Sequence, residues 1–360
     1  MFRTIRHRIL CIVLILFLLT LTACARPLSS DDISATRDRA MRRTMGFDCY
    51  LDTAGTLHIN PDVLAQYADE YKSLDGSTDI RAFAAVNNVG TIFLHQDGSL
   101  TIPIYQQDDV DHVRAQESVR DLLQSAWSQF TFRYIGESSD INAPWLITDD
   151  GRQFSGRDLE WNQRVDYANN SAAIRPDGVV MVRAHLTDYL AFPQSTGWDG
   201  TTIQIANLPN CGTLIGLTAD RKLVQCIYNE QVYQDVQSHN PIVNHLDEPA
   251  TELIYDTAGS VVIARRPNGT LFVAFAANPD VVPLFDENKA YDQLIYARST
   301  QTTDGEISVA DTGFWLAVTP DGTVEYLPTA SASESDIAAD KAAYAWILSR
   351  TDVRRLHSNS

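Results

Sequence analysis

Basic residues are scarce in this chain. Only 28 Lys and Arg stand against 46 Asp and Glu over 360 residues. That balance repels phosphate backbones and anionic headgroups, so no nucleic-acid partner is expected. Cysteine is scarcer still, five in all, with no CxxC pair and no Cys/His spacing that suggests zinc. The sequence has no G-x-S-x-G elbow and no glycine-rich phosphate loop, which removes the signatures of a serine hydrolase and of a nucleotide site. The one histidine cluster holds His239, His245, Asp247 and Glu248, but its histidines are six apart with Pro241 between them. Zinc hydrolases prefer two histidines four apart on one helix face, so this reads as a polar loop. Acidic runs at Asp108, Asp109 and Asp111 and at Asp149 and Asp150 lack the spacing of a calcium loop. No metal and no cofactor are expected.

What the chain does have begins at its N-terminus. Arg3, Arg6 and Arg8 precede an unbroken apolar run, Ile9 to Leu19, and no acid occurs before Asp31. Those 11 residues rise only about 1.5 Å each, too little to cross a hydrocarbon core of roughly 30 Å. A basic start, a short apolar run and then small residues form a secretory signal. The region Leu21-Thr22-Ala23-Cys24 resembles a bacterial lipobox, which implies that Cys24 is acylated and becomes the first mature residue; an ordinary signal peptide or an uncleaved anchor is the alternative. Less its three leader arginines, the chain keeps 25 basic residues against 46 acids, a net charge of −21. A lipid-anchored protein on the extracytoplasmic face of the cell membrane is the expected address. Cys49, Cys211 and Cys226 remain, and export permits a disulfide. Cys211 and Cys226 flank one predicted hairpin, although its turn sets them about two residues out of register.

From residue 45 to 328 short β-rich runs alternate with tight polar turns, the sequence form of hairpins. Seven turns stand out: Ala54-Gly55, Asp97-Gly98, Asp150-Gly151, Asp177-Gly178, Asp220-Arg221, Asn268-Gly269 and Asp321-Gly322. Glycine takes the positive φ that closes such a turn. Arg221 breaks the rule, which predicts a strained or differently turned hairpin. Each turn divides two strands and an earlier β-like run precedes several, giving three-stranded units 27 to 53 residues apart. Units of this kind bury their faces only against their neighbours, which gives a propeller or a solenoid, and a ring is favoured because it removes most exposed edges; another all-β repeat fold and a two-sheet sandwich are the alternatives.

Two units carry a family resemblance, Trp161 to His185 and Gly197 to Asn229. In the second, Trp198, Ile203, Ile205, Ala206, Gly216, Leu217 and Asp220 fall in the order of the regulator of chromosome condensation repeat. In the first, Trp161, Val165, Ala168, Ile174, Asp177, Gly178 and Val179 do so. The chain thus resembles a bacterial protein with such repeats, which implies a seven-bladed β-propeller in which Trp161 and Trp198 pack between blades. It departs from the repeat at the glycines expected after Ala168 and Ala206 and by an insertion between Asn278 and Pro328. The nuclear members' exchange-factor and chromatin roles do not carry over, because a fold is not a function.

The expected organisation is a signal peptide over 1–23, a tether over 24–44, an all-β propeller over 45–328 and a helical tail over 329–360. In the tail, Ile337, Tyr344, Ile347, Leu348 and Val353 lie at roughly helical spacing. Two functions follow from this frame. One is a non-enzymatic binding module for an envelope protein or glycan. The other is a carboxylate-dependent polysaccharide hydrolase with its acids at the propeller mouth. A spacer without a ligand is the third.

Overall fold

A computed structural model describes residues 27–41, 49–64, 72–86, 90–103, 110–125, 127–136, 145–155, 164–168, 172–183, 189–191, 202–256, 260–303 and 306–355. Its strands form seven small antiparallel sheets. In chain order, β1 (Cys49–Asp52) and β2 (Leu57–Ile59) start the first sheet, and β3 (Ile80–Val86), β4 (Gly90–His95) and β5 (Leu100–Thr101) make the second. The third holds β6 (Phe132–Gly136), β7 (Trp145–Thr148) and β8 (Gln153–Ser155). The fourth holds β9 (Tyr167–Ala168), β10 (Ala172–Ile174), β11 (Val180–Arg183) and β12 (Tyr189–Ala191). The fifth comprises β13 (Thr202–Leu208), β14 (Thr213–Thr218) and β15 (Leu223–Ile227). In the sixth, β16 (Val243–Asn244) lies on the outer side of a meander of β17 (Glu252–Asp256), β18 (Val261–Arg265) and β19 (Leu271–Ala276). The seventh is β20 (Gln293–Thr303), β21 (Glu306–Val318) and β22 (Val324–Leu327).

Burial explains why these runs read as nearly continuous apolar stretches. Every residue of β13 and β14 is buried, whereas β15 and β22 each bury only two residues fully, Leu223 and Cys226, and Val324 and Leu327. A strand covered on both faces needs apolar residues at odd and even positions alike. In the fifth sheet, Ile205 and Leu214 pack with Tyr167 and Ala173 of the sheet before, while Ala206, Ile215 and Leu217 pack with Leu253, Val262 and Phe275 of the sheet after. The other clusters repeat the arrangement. One joins the first sheet to the second, one the second to the third, and one the sixth to the seventh.

All seven hairpins turn in one way. The first residue of each turn accepts from the N–H three positions on, and its own N–H donates to the carbonyl four positions on, as in Thr319 with Gly322 (2.9 Å) and Thr323 (3.0 Å). The closing residue has positive φ throughout: Gly55, Gly98, Gly151, Gly178, Gly269 and Gly322 between +79° and +87°. Arg221 makes the same turn at +67° and bears the strain, as its sequence predicts. In several of the turns the carbonyl of this residue then reaches the segment that leads into the next sheet. Gly98 accepts from Phe132 N (2.9 Å), Gly151 from Val165 N (2.9 Å) and Arg221 from Ala250 N (2.9 Å). Because Phe132 pairs with Thr148, which opens the following turn, these bonds string the turns along one side.

Helices fill the connections. α1 (Ser30–Met41) lies within the expected tether, and α2 (Pro61–Leu64), α3 (Val110–Gln124) and α4 (Glu230–His239) interrupt the expected all-β region. The helical tail is also corrected. α5 (Glu334–Ala343) and α6 (Ala345–Leu348) end early, and β23 (Val353–Arg355) pairs antiparallel with β1. α5 is closed by a capping box, in which Ser333 and Asp336 satisfy each other's amides. Val353 N donates to Gly322 O (3.1 Å), the same link that joins other turns to the strand after them. Tyr50 stacks on His58 and against Trp346, with the Arg350 guanidinium over both Tyr50 and Trp346. Burial, with Asp352 beside the hydroxyl, pushes the Tyr50 phenol up to about 12.

Two substitutions test the turns. Arg221→Gly should raise stability by about 0.5–1 kcal/mol by relieving the left-handed backbone. A Cβ on Gly98 would meet the Phe132 backbone and Thr131 Cβ at 3.0 Å, so Gly98→Val should cost about 1–3 kcal/mol. Thermal melts of both variants check the signs.

Candidate functional site

The turns concentrate carboxylates on one side of the molecule. Asp97 accepts from the Ser99 hydroxyl (2.6 Å) and amide (2.8 Å), and Asp177 and Asn268 accept likewise from the amides two residues on. Thr148, Thr218 and Thr319 donate their hydroxyls to Asp150, Asp220 and Asp321. Such side chains tie down their own backbone two residues away. Three of the acids also carry a cation in the same turn: Asp150 with Arg152 (2.8 Å), Asp177 with Arg175 (2.5 Å) and Asp220 with Lys222 (2.5 Å).

These bonds favour the ionised carboxylate. The Ser99 hydroxyl and amide hold Asp97 below the usual carboxylate range, Thr319 and then the Thr323 amide do so for Asp321, and the Thr148 hydroxyl does so for Asp150. Lys222, then Thr218, lowers Asp220. Burial opposes the shift at Asp52, but His58 and the Thr56 and Ala54 amides outweigh it. A general acid near neutral pH needs the opposite shift. These are turn-building acids.

α1 sits beside this side of the molecule. Leu28, just ahead of the helix, donates its N–H to the carbonyl of Ala219 in the 218–222 turn (2.8 Å). Ser29 and Asp32 cap the first turn reciprocally, at 3.1 Å in each direction. Leu28 and Ile33 pack into the cluster between the fifth and sixth sheets, and Thr36, 1 % exposed, donates to the Thr251 carbonyl (3.3 Å). The helix touches β6, β9, β13 and β17, the first strands of four consecutive sheets. Its seat is thus the place those first strands share. The sequence signal for it is Ser29-x-x-Asp32 followed by twelve residues free of glycine and proline.

The sequence-predicted residues fall out as follows. Cys24, Trp161 and Trp198 lie outside the described residues, as do Asp108 and Asp109. Of the second repeat unit, Ile203, Ile205 and Ala206 lie on β13, Gly216 and Leu217 on β14, and Asp220 in the turn. The Cys211–Cys226 bridge is corrected: both are buried thiols, not joined to each other. Cys226 pairs across from Leu214, three residues from Cys211. Cys211 stands in the tight turn between β13 and β14, and the two side chains enter different clusters, Cys211 with Leu208 and Phe272 and Cys226 with Tyr167 and Leu214. Burial pushes the Cys211 thiol up.

The histidine cluster is dispersed. His239 is exposed at the end of α4, bonded to the Asp235 carbonyl (2.8 Å), and Glu248 pairs with Arg266 (2.7 Å). Among the described residues no three His, Cys, Asp or Glu side chains gather as metal ligands. Trp127 and Trp315 are buried. Among the described residues a relay-like chain runs from Asp79 Oδ2 to His95 Nδ1 (2.8 Å) and from His95 Nε2 to Thr101 Oγ1 (2.7 Å). His95 opens the 95–99 turn, the place where Thr148, Thr218 and Thr319 spend their side chains on local bonds. The chain ties β4 to β5 and to the loop before β3. No family model matches this sequence, and no curated protein matches it.

Lowered carboxyl pKa values give stability that is complete above the unfolded value of about 3.9 and lost as pH falls through the folded values. The melting temperature should therefore hold steady down to about pH 5 and fall below about pH 4. The double variant Asp97→Asn with Asp321→Asn keeps two acceptors but cannot ionise. It should show a shallower acid slope in thermal melts across pH 2.5–7, if the turns hold the charge as described.

Proposed function

We propose that the chain is a lipoprotein anchored through Cys24 on the extracytoplasmic face of the cell membrane. In this reading its seven sheets close into a β-propeller that works as a non-enzymatic binding module for an envelope protein or glycan. The resemblance to regulator-of-chromosome-condensation repeats supports the ring, and so does the manner in which the ends meet. The final strand joins the first sheet, and one cluster unites Tyr50, Phe314, Leu316, Ile347 and Val353 across that seam. In such a ring the first strand of each sheet lines the axis.

The observation that carries the binding reading is the seat of α1. A helix laid across the first strands of four sheets occupies the mouth where a hydrolase would assemble its acids. The turn acids are held in the charged form mainly by side chains of their own turns, Ser99, Thr148, Lys222 with Thr218, and Thr319. Recognition is left to the outer surfaces, including the long β20–β21 hairpin, which runs on past β22 to pair Thr303 with Glu306. No helix among the described residues is long and apolar enough to cross a membrane.

Two measurements test this. Cys24→Ala should move the protein from the membrane to the soluble fraction, and retention in the membrane would refute the anchor. Immobilised Cys24→Ala protein should then retain a specific protein or glycan from envelope extracts. Turnover of a polysaccharide by the same preparation would refute the non-enzymatic reading. For the ring, Val353→Pro removes the N–H given to Gly322, and the global melting temperature should drop by several degrees. A loss confined to local fraying of the C-terminal segment would count against closure.

A further inference from the structure

We infer that the side bearing the hairpin turns lies against the lipid bilayer, and that the opposite side is turned outward to the partner. The inference rests on the lipid anchor at Cys24 and adds an orientation to it. Leu28 is fixed to the 218–222 turn through its hydrogen bond to Ala219 and is almost fully buried. Only three residues, four Cα–Cα steps, lie between it and Cys24. Fully extended, they span at most about 14 Å. The turn therefore cannot stand farther than that from the lipid-bearing residue. The segment beyond Leu28 has no slack to pay out, because the helix is capped at Ser29 and held at Thr36.

One tethered turn orients the whole molecule because the turns are strung along one side. Gly98 is bonded to Phe132, Gly151 to Val165, Arg221 to Ala250 and Gly322 to Val353, each joining a turn to the start of the next sheet. The chemistry of this side suits close approach to headgroups. The turns are short, and Asp150, Asp177 and Asp220 are each neutralised by a cation of their own turn. The bulkier features leave from the other ends of the strands. α4 follows the far end of β15, Pro209–Cys211 caps the far end of β13, and the β20–β21 hairpin extends the same way.

The test uses the full-length lipidated protein in phosphatidylcholine vesicles doped with a lipid that carries a nitroxide on its headgroup. A fluorophore is attached to Gln96→Cys or Pro176→Cys on the turn side, or to Asn210→Cys on the far side. These three positions are exposed, whereas Cys49, Cys211 and Cys226 are buried. Quenching should be several-fold stronger at Gln96 and Pro176 than at Asn210. Inserting a long Gly-Ser segment after Arg26 should erase the difference, since a flexible linker releases the constraint. Equal or stronger quenching at Asn210 in the lipidated protein would overturn the orientation and leave the anchor standing. A mature N-terminus whose mass lacks an acylated Cys24 would remove the anchor and the orientation with it.

Discussion

The structure depends on one constraint: its inner strands are oily on both faces. A sheet with Ile205 and Leu214 on one side and Ala206, Ile215 and Leu217 on the other cannot be half exposed. Each large aliphatic side chain left in water would forgo about 1.5–3 kcal/mol. Every sheet must therefore be sandwiched, and successive sheets of a chain meet this need for each other until the series has two uncovered ends. One cluster gathers Tyr50 of the first sheet with Phe314 of the seventh and with Ile347 and Val353.

Given that demand, the turns set where the sheets stand. The same three-residue loop recurs seven times, and in four of them, at Gly98, Gly151, Arg221 and Gly322, the closing carbonyl accepts from the segment beyond. The loop is thus a hairpin and a connector together. This explains why position 221 keeps the shape without glycine. Arg221 still has to present its carbonyl to Ala250, and the shared turn geometry wins over the local cost of the left-handed backbone. The aspartates serve the same end by fixing the loop from within.

Local chemistry was readable from the sequence and distant chemistry was not. Asp-Gly and Asn-Gly pairs announce their turns because the positive φ and the side-chain acceptor both lie within five residues. The strands flanking them follow from β-branched runs. The seat of α1 depends on a groove made by four separate sheets, which no window around Ser30–Met41 contains. Likewise Val353 scores as one more apolar residue in an alanine-rich helix, yet it ends as a strand because β1 offers an open edge. The cysteine pair failed on placement. Counting from the turn places Cys211 and Cys226 near each other, but Cys211 stands in the tight turn between β13 and β14, and the two side chains enter different clusters. For function, the acids at the turns look alike in sequence whether they build loops or do catalysis. Only their hydrogen bonds separate the two.

The meeting of β1 with β23 also bears on how the molecule comes into being. Tyr50 and Asp352 are 302 positions apart and still touch. A chain emerging from a ribosome or a translocation pore can pair most of its hairpins as they appear, because their partners are near neighbours. Its opening hairpin, by contrast, must wait for residues 352–355, some three hundred positions later, to be delivered. Through that interval its apolar edge is exposed to any other strand nearby, so biogenesis should be slow at the final step and sensitive to holding factors.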